Sequence, residues 1–399
     1  MSLGISAKCR QIAPSATFAM DAKAKALRAS GVNVIGFAAG EPDFNTPEPI
    51  RDAMKQAMDM GMTRYTPVAG TLELRDAIIA SLRRDHDLCY ARDEIIVSNG
   101  AKHSLYTAFQ TLLDPGDEVL IPTPCWVSYP EMVRMAGGVP VFVEGQEALD
   151  FVPTIADIAA KVTSKTKAFM LTTPNNPNGC IWGEGILREL ADLAVEKDFY
   201  VISDEIYEKL IYGGLKHVSI ATLGSRIKER TLLVNGVSKS YAMTGFRIGY
   251  TAGPRNVIAA MCNYQSQATS APNSGAQHAA AFALTMPQDC VEEMRQAFEL
   301  RRNELVRMLN AIEGISCRMP QGAFYVMMNV KVYLGKRLGE KVLNGSNDFA
   351  TALLENAHVA VVPGDAFMAE GYCRLSYAVS LEDIHEGVSR IAAFVKELK

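Results

Sequence analysis

One lysine follows an apolar segment of the chain that ends among small and polar residues. The apolar run covers residues 231–234, Lys239 lies shortly beyond it, and Arg247 follows among glycines. At the carboxyl end of a buried strand the lysine amine would lose solvation, which favours the neutral form that attacks an aldehyde. Arg247 could hold a phosphate through paired charge-assisted hydrogen bonds. A nucleophilic lysine beside a phosphate clamp suggests pyridoxal phosphate as cofactor, and the alternative is two surface charges in an ordinary connection.

A second candidate phosphate site opens a predicted helix. The segment 98–105 follows an apolar run and contains the small residues Gly100 and Ala101. Small residues at the amino terminus of a helix leave backbone N–H groups free for a phosphate, and the helix dipole favours the bound anion. An Asn-Gly turn that merely caps a helix has the same sequence.

Two more turns that follow apolar runs carry side chains suited to a planar cofactor. Trp126 could stack on an aromatic ring, although a tryptophan is more often part of the core. Asn176 could donate a hydrogen bond to a phenolic oxygen, and an ordinary polar turn is its alternative. The Asn176–Pro177 bond is a candidate cis peptide bond.

A carboxylate follows the apolar run 200–202. Burying Asp204 there would be unfavourable without a cationic partner, and a protonated pyridine nitrogen is such a partner. Tyr207 lies one helical turn further along the chain and could reach the phenolic oxygen of the same ring. The alternative is an aspartate that caps the next helix.

Composition limits the kind of partner that this chain can bind. The formal net charge is −4 and the basic residues are scattered, so nothing indicates nucleic-acid binding and we expect a small-molecule substrate. The eight cysteines are widely spaced and form no Cys-x-x-Cys pair, which is typical of reduced, mostly buried thiols in a cytosol. No long apolar stretch or targeting signal is evident, so we expect a cytoplasmic protein without a membrane span.

The elements that must position these residues alternate between helical patterns and short apolar runs. Such alternation, with runs this apolar, predicts an α/β fold with a mostly parallel, mixed sheet between helices. Ligands of such sheets bind at the carboxyl ends of the strands, where the candidate residues lie. The runs cover residues 94–97, 118–121, 139–143, 168–171, 200–202, 231–234 and 248–251.

The length of 399 residues favours more than one domain. We expect an amino-terminal arm at 1–45, with a helix over 12–30 and a short strand over 33–37, that packs with a small domain. The large cofactor-binding domain is placed at 46–284. The smaller α+β domain is placed at 285–399, with a long helix over 288–312, strands near 322–326, 359–362 and 373–377, and a closing helix from Leu381.

Taken together, these motifs resemble the class I and II pyridoxal-phosphate aminotransferases of fold type I, and most closely the bacterial-type aspartate aminotransferase branch. The resemblance covers nearly the whole chain. The segments that carry it are Gly40-Glu41-Pro42-Asp43-Phe44, Tyr65 with Gly70 and Leu74-Arg75, Asn176-Pro177-Asn178-Gly179, Asp204-Glu205-Ile206-Tyr207, Ser238-Lys239, Arg247, Gly322-Ala323-Phe324-Tyr325 and Arg374-Leu375-Ser376-Tyr377.

The resemblance implies a role for each candidate residue at the cofactor. Lys239 would join the cofactor covalently and later carry the proton that moves during amino transfer. Asp204 would pair with the ring nitrogen, Tyr207 and Asn176 would hold the phenolic oxygen, and Trp126 would stack on the ring. The remaining implied cofactor contacts are Gly100, Ala101, Lys102, Ser238 and Arg247, together with Tyr65 of the second subunit of a homodimer.

For the substrate, the resemblance implies that Arg374 takes the α-carboxylate through two parallel hydrogen bonds. Gly40, Trp126 and Asn176 would assist. No lysine or arginine occurs between Arg255 and Arg295, so the arginine that holds the distal carboxylate in animal-type aspartate enzymes has no counterpart. Lys102 is the candidate replacement, and Ser15 and Thr17 could help; the alternative is that Lys102 is exposed beside the phosphate.

Three positions depart from the pattern of the family. Gly236 stands where some relatives have a hydroxyl that touches the phosphate, Cys125 replaces a frequent tyrosine, and Asn178 replaces a commoner threonine. The set as a whole predicts an aminotransferase that alternates between two cofactor forms and moves an amino group from an L-amino acid, aspartate first, to a 2-oxo acid such as 2-oxoglutarate. Aromatic or aliphatic amino acids, prephenate, a β-lyase or decarboxylase reaction, and a non-catalytic ligand-sensing module are the alternatives. No metal is expected.

Overall fold

The computed structural model describes residues 4–10, 12–13 and 16–399. Its α-helices, in chain order, are α1 (Ala7–Arg10), α2 (Ala16–Ala29), α3 (Glu48–Asp59), α4 (Leu72–His86), α5 (Ala101–Leu112), α6 (Ser128–Met135), α7 (Ile155–Ala159), α8 (Glu184–Lys197), α9 (Ser225–Lys228), α10 (Arg255–Ala268), α11 (Ser274–Thr285), α12 (Asp289–Leu309), α13 (Ser346–Ala357) and α14 (Leu381–Lys396).

The strands fall into one large sheet and several small ones. In chain order they are β1 (Ile35–Gly36), β2 (Ile95–Ser98), β3 (Glu118–Thr123), β4 (Val139–Glu144), β5 (Thr166–Thr172), β6 (Tyr200–Asp204), β7 (Thr231–Gly236), β8 (Gly249–Ala252), β9 (Tyr325–Asn329), β10 (Arg337–Leu338), β11 (Lys341–Val342), β12 (Val359–Ala360), β13 (Val362–Pro363) and β14 (Tyr372–Ser376).

The large sheet has seven strands in the order β2-β8-β7-β6-β5-β3-β4. Strand β8 runs antiparallel to both of its neighbours, and the other adjacent pairs are parallel. Its central strands are buried along their length, because helices cover both faces of the sheet and leave no solvated side. Each apolar run of the sequence forms one strand, so the predicted α/β fold with a mostly parallel sheet is confirmed.

The two ends of the chain meet in a second region. Strand β1 pairs in parallel with β12, and β13, β14 and β9 form an antiparallel sheet. Helix α2 is shorter than the helix expected over 12–30, and residues 14 and 15 of that expectation lie outside the described residues. Buried side chains of α2, β1, α12 and α14 share one apolar core with this sheet.

The structure bears on membrane spans and on the cysteines. Among the described residues, no helix combines the length and the low charge that crossing a bilayer requires. All eight cysteines are free thiols, of which Cys125, Cys180, Cys317 and Cys373 are buried. Cys9 and Cys89 are exposed, and Cys262 and Cys290 are partly buried, so only half of the thiols are in the core.

A network of buried imidazoles and carboxylates joins α4 to the segment after β6. His86 and Glu208 approach to 2.6 Å, and His217 and Glu205 to 2.7 Å. Burial alone would lower the pKa of His86, but the hydrogen bond and charge of Glu208 outweigh it and raise the pKa to about 8. Burial raises the pKa of Glu208, yet the same bond holds it at about 2. The pair is therefore ionised near neutral pH.

We expect His86→Gln to destabilise the protein in a pH-dependent way. A histidine whose pKa rises from 6.5 to about 8 on folding contributes stability that is complete below about pH 6.5 and is lost as the pH rises through 8. The shift corresponds to about 2 kcal/mol. Calorimetric unfolding from pH 5.5 to 9 measures the difference from wild type, which should shrink by about that amount. A pH-independent difference would show that His86 contributes packing alone.

Candidate active site

Lys239 lies beyond the carboxyl end of β7, in the loop that leads back to β8. Its Nζ donates a hydrogen bond to the carbonyl oxygen of Gly40 at 2.6 Å. Burial lowers the pKa of the Lys239 amine to about 8, against the opposing charge of Glu41. A substantial part of the amine is therefore neutral near pH 7 to 8, and only the neutral amine is a nucleophile.

Asp204 is the last residue of β6 and is buried, with 4% of its surface exposed. Its Oδ2 accepts a hydrogen bond from the Tyr129 hydroxyl at 2.8 Å, and its Oδ1 accepts one from the Ile206 N–H at 3.2 Å. Burial raises the pKa of the Asp204 carboxyl to about 6, and these two hydrogen bonds only partly oppose the shift. A cation bound next to Asp204 would keep it ionised.

Tyr207 lies in the loop after β6 and reaches toward the small sheet. Its hydroxyl and that of Tyr325, at the start of β9, are 3.0 Å apart. Burial raises the pKa of the Tyr207 hydroxyl well above its usual range. The phenol therefore stays protonated and can donate to an acceptor oxygen in the pocket.

The amino terminus of α5 and Arg247 form a cradle for an anion. Gly100 precedes the helix with φ of 85° and supplies no side-chain cap. The amides of Ala101 and Lys102 make no hydrogen bond within the described residues. A Cβ on Gly100 would come within 2.5 Å of Arg247 Nη2, and one on Gly249 within 2.2 Å of the Ala101 nitrogen. Close backbone packing thus brings free amides and a guanidinium together, as a phosphate requires.

Arg374 lies on β14 and is 1% exposed. Its Nη1 donates to Asn176 Oδ1 at 2.9 Å, and its Nη2 donates to the Ala38 carbonyl at 3.0 Å. The guanidinium packs on the rings of Tyr325 and Phe367, at 4.4 and 4.9 Å from their centroids. Its Nε is buried without a partner among the described residues. An additional acceptor, such as a carboxylate, would satisfy that N–H.

Lys102 lines a cavity of about 600 Å³, and Trp126 lies against Lys102. Lys102 Nζ is 4.6 Å from the centroid of the Trp126 ring. Burial lowers the pKa of Lys102, and the charge of Arg247 acts in the same direction. The other lining residues are Ile12, Ala13, Asn99, His103, Tyr106, Val127, Ser128, Glu131, Met132, Met135, Arg247, Ala366 and Met368.

Several cations at this place have no carboxylate partner. Among the described residues, none of Lys102, Lys239, Arg247 and Arg374 forms a salt bridge. Arg374 is buried, Lys239 is half-buried, and Lys102 and Arg247 are exposed. These unpaired positive charges favour a ligand with more than one negative group, and the buried charge of Arg374 gains most from such a partner. The buried Asp204 forms no salt bridge among the described residues either, so a positive group on the same ligand would stabilise its charge.

Two of the expected site residues make no side-chain contact that would indicate their role. Ser238 is buried next to Lys239, but the structure gives it no side-chain hydrogen bond among the described residues. Tyr65 is 98% exposed and also makes no hydrogen bond in the described part of the chain. Ser15 lies outside the described residues, and Thr17 lies in α2.

Two site residues were not found from the sequence. Tyr129, in the first turn of α6, bonds to Asp204, and its hydroxyl also accepts from Thr172 at 2.9 Å. The sequence feature that could indicate Tyr129 as a site residue is its position three residues after Trp126. Tyr325 belongs to a motif quoted for the resemblance but was given no role, since its contact with Tyr207 depends on how the two sheets meet.

The structure also corrects the expected cis peptide bond. The bonds before Pro124 and Pro174 are cis, whereas the bond before Pro177 is not. All three are X–Pro bonds with the same small intrinsic preference for trans, so the sequence could not choose among them.

The structure explains why glycine occupies position 236, where some relatives have a hydroxyl. A Cβ on Gly236 would come within 2.7 Å of the Ile248 carbonyl oxygen.

Comparison with known proteins identifies the family. Residues 32–391 match the family described as aminotransferase class I and II. The chain belongs to this family. It is 49% identical over 386 residues to the aspartate aminotransferase of Bacillus subtilis (strain 168), covering 97% of each chain. It is 45% identical over 392 residues to the aspartate/prephenate aminotransferase of Thermus thermophilus, covering 98% of each.

A solved aminotransferase structure has the same fold. The crystal structure of the aspartate aminotransferase from Rhizobium meliloti superposes with a TM-score of 0.96 at 42% sequence identity, and the alignment covers 100% of both chains. The protein is thus an aminotransferase, whose substrates are amino and 2-oxo acids, and members of its family depend on pyridoxal phosphate. The predicted family and fold type are confirmed.

Proposed function

We propose that the enzyme uses pyridoxal phosphate to move the amino group of an L-amino acid, aspartate first, to a 2-oxo acid such as 2-oxoglutarate. The observation that carries this proposal is a lysine amine with its pKa near 8 close to a buried aspartate that forms no salt bridge among the described residues. Lys239 would hold the cofactor's aldehyde carbon and Asp204 its ring nitrogen.

The residues around the pocket fit the groups of this cofactor. The free amides of Ala101 and Lys102 with Arg247 match a phosphate, and the protonated Tyr207 hydroxyl matches a phenolic oxygen. Gly100, Trp126, Asn176 and Ser238 complete the proposed contacts. When bound, pyridoxal phosphate supplies a ring that withdraws electrons from the amino acid. The protein supplies binding, orientation and proton transfer.

Lys239 is proposed as the base that moves the proton. As a free amine, Nζ would lie in a desolvated place, where burial keeps its proton affinity low. With the cofactor bound, Nζ would be able to take a proton from the substrate's α carbon and to give it up again, because a base with a pKa near the working pH transfers protons efficiently in both directions.

Arg374 is proposed to orient the substrate. Its two Nη atoms are already fixed by Asn176 and by the Ala38 carbonyl, while its Nε is left without a partner. A substrate carboxylate would be held in a defined orientation by this fixed guanidinium, with Asn176, Trp126 and the Gly40 backbone beside it. A substrate held in this orientation would stay in a geometry from which it can react at Lys239.

Aspartate is the proposed donor because Lys102 supplies a charge for a second carboxylate. The relatives from Bacillus subtilis and Thermus thermophilus bear names that include aspartate. Lys102 Nζ lies over Trp126 with no acidic partner among the described residues. The second name includes prephenate, so prephenate stays open as an acceptor. Aromatic and aliphatic amino acids stay open as donors, because a flexible lysine excludes them only weakly.

We expect Lys102→Ala to reduce kcat/KM for aspartate by about 1.5–3 kcal/mol, or roughly 10- to 150-fold, the range for a lost hydrogen bond to a charged group. A donor with a neutral side chain, such as alanine, should lose much less. A panel of donors with 2-oxoglutarate as acceptor measures both constants. Lys55→Ala, a lysine on α3 paired with Asp52, is the control. Equal losses for both donors would assign Lys102 to the cofactor and remove the argument for aspartate.

The alternative reactions of this fold can be distinguished from amino transfer by their products. A β-lyase would release pyruvate and ammonia and a decarboxylase would release carbon dioxide, and neither needs a 2-oxo acid acceptor. A ligand-sensing module would bind without turnover. The same panel, run with and without acceptor, decides among these reactions, and acceptor-dependent formation of a new amino acid is the expected result.

We propose a homodimer with shared active sites. Tyr65 is 98% exposed in the isolated chain, and Met58 and Met60 nearby are also exposed. Such apolar exposure is typical of an interface, and the family resemblance assigns Tyr65 to the phosphate of the partner subunit. Light scattering should give twice the chain mass, and Tyr65→Phe should weaken cofactor binding without changing that mass. An active monomer would contradict this proposal.

The division into an arm at 1–45, a large domain at 46–284 and a small domain at 285–399 is also kept as a proposal. The pairing of β1 with β12 supports an arm that packs with the small domain. The cytoplasmic location expected from the sequence stays a prediction.

A further inference from the structure

His103 makes a contact that the proposed roles do not use. It is the third residue of α5, two residues after Ala101, and its Nδ1 accepts a hydrogen bond from the Asn99 N–H at 3.2 Å. On its other side, the Asn99 carbonyl oxygen accepts from Arg247 Nη2 at 3.4 Å. Both backbone polar groups of Asn99 are thus held, one by an imidazole and the other by the guanidinium of the cradle.

The backbone at this point needs such a restraint. Gly100 has a φ of 85° and no side chain with which to cap the helix, and glycine has more conformational freedom than any other residue. In a capping box, the side chain at the third helical position reaches back to a backbone N–H before the helix. His103 occupies that third position and reaches one residue further back, to Asn99. The imidazole therefore restrains the backbone just before the helix, in the manner of the back-reaching side chain of a capping box.

The hydrogen bond also fixes the state of the ring. Because Nδ1 accepts, the proton of the neutral imidazole is on Nε2, and Nε2 is buried without a partner among the described residues. The ring lies nearly parallel to that of Tyr106, with centroids 6.4 Å apart and 18° between the planes. His103 therefore has two separable functions within α5, a ring that packs on Tyr106 and an acceptor that holds Asn99.

We infer that His103 is a positioning residue, whose acceptor nitrogen holds the Asn99–Gly100 backbone so that the amides of Ala101 and Lys102 and the guanidinium of Arg247 converge on the phosphate of the cofactor. The inference rests on the proposed function, since it needs a phosphate at this cradle. His103 acts through Asn99 and does not itself touch the reacting atoms.

Two substitutions separate the acceptor from the ring. His103→Gln keeps an acceptor at the position where capping boxes use glutamine, and removes the ring. His103→Phe keeps a ring that can pack on Tyr106 and removes the acceptor. Equilibrium dialysis of cofactor-free protein against pyridoxal phosphate measures the dissociation constant, and thermal unfolding of the cofactor-free variants controls for folding.

We expect His103→Phe to bind the cofactor about 3- to 10-fold more weakly, the effect of one lost hydrogen bond. His103→Gln should stay within about twofold of wild type, and kcat at saturating cofactor should change little in both. Weak binding by the Gln variant with normal binding by the Phe variant would assign His103 to ring packing and overturn the inference, as would equal affinities for all three proteins. If the wild-type protein itself binds no cofactor, the proposed function fails first, and the positioning role falls with it.

Discussion

Lys239→Ala is expected to lower turnover by at least about 10⁴-fold, the upper end of the contribution of one general acid–base group, because the same Nζ is both the attachment point and the proton carrier. The groups that act directly on its Nζ, Gly40, Glu41 and Asp204, carry no second amine. The measurement is steady-state transamination, with the absorption spectrum of the purified protein as a second readout. The visible band of the attached cofactor should disappear.

A matched control lies at the other end of the same strand. Lys228 precedes β7, and its Nζ donates to the Cys89 carbonyl at 2.5 Å, so Lys228→Ala removes a lysine near the same sheet without touching the pocket. It should leave turnover within about twofold of wild type, as expected for surface substitutions. If Lys239→Ala kept its absorption band and its activity, another group would have to hold the cofactor.

Attachment to the cofactor-free protein should also depend on pH. Since burial lowers the pKa of Lys239 to about 8, the attacking neutral amine increases as the pH rises through 8 and then saturates. Stopped-flow measurement of the band after mixing with pyridoxal phosphate gives the rate at each pH. A rate that continues to rise to pH 10 would mean that the amine has its ordinary pKa.

The sequence was sufficient for features that follow from local patterns. Each short apolar run became a strand because only a doubly covered parallel sheet hides so many consecutive apolar residues. The same regularity placed Asp204 at the carboxyl end of β6 and Lys239 beyond that of β7, which are neighbouring strands. Candidate residues that follow adjacent parallel strands are close in space, so that part of the site could be predicted without an alignment.

Contacts that join distant segments could not be predicted in the same way. The bond from Tyr129 to Asp204 requires that α6 pack over the end of β6, and the Tyr207–Tyr325 contact requires the small sheet to meet the large one. Neither contact follows from the spacing of residues along the sequence. The hydrogen bond between Asn99 and His103 is local, yet histidine is an unusual residue for helix capping, so helix propensity gave no reason to select it.

Arg374→Ala is expected to lower kcat/KM by about 3–6 kcal/mol, or roughly 10²- to 10⁴-fold, because it removes two hydrogen bonds to a charged carboxylate at about 1.5–3 kcal/mol each. The loss should be the same for aspartate and for a neutral donor, since every amino acid has an α-carboxylate. This separates Arg374 from Lys102, whose loss should fall on aspartate alone. Steady-state kinetics with both donors, on the same preparations, measure the two patterns.

Arg302 is the control for replacing a buried arginine. It is 7% exposed, and its guanidinium packs on the Tyr212 ring at 4.8 Å, much as Arg374 packs on Tyr325. Both Arg→Lys variants keep the charge but lose the planar fork that matches a carboxylate. Arg302→Lys should affect thermal stability and leave KM unchanged, whereas Arg374→Lys should raise KM for both donors. If both variants raise KM to the same extent, the rise in KM is a general result of replacing a buried arginine. Another residue must then recognise the carboxylate.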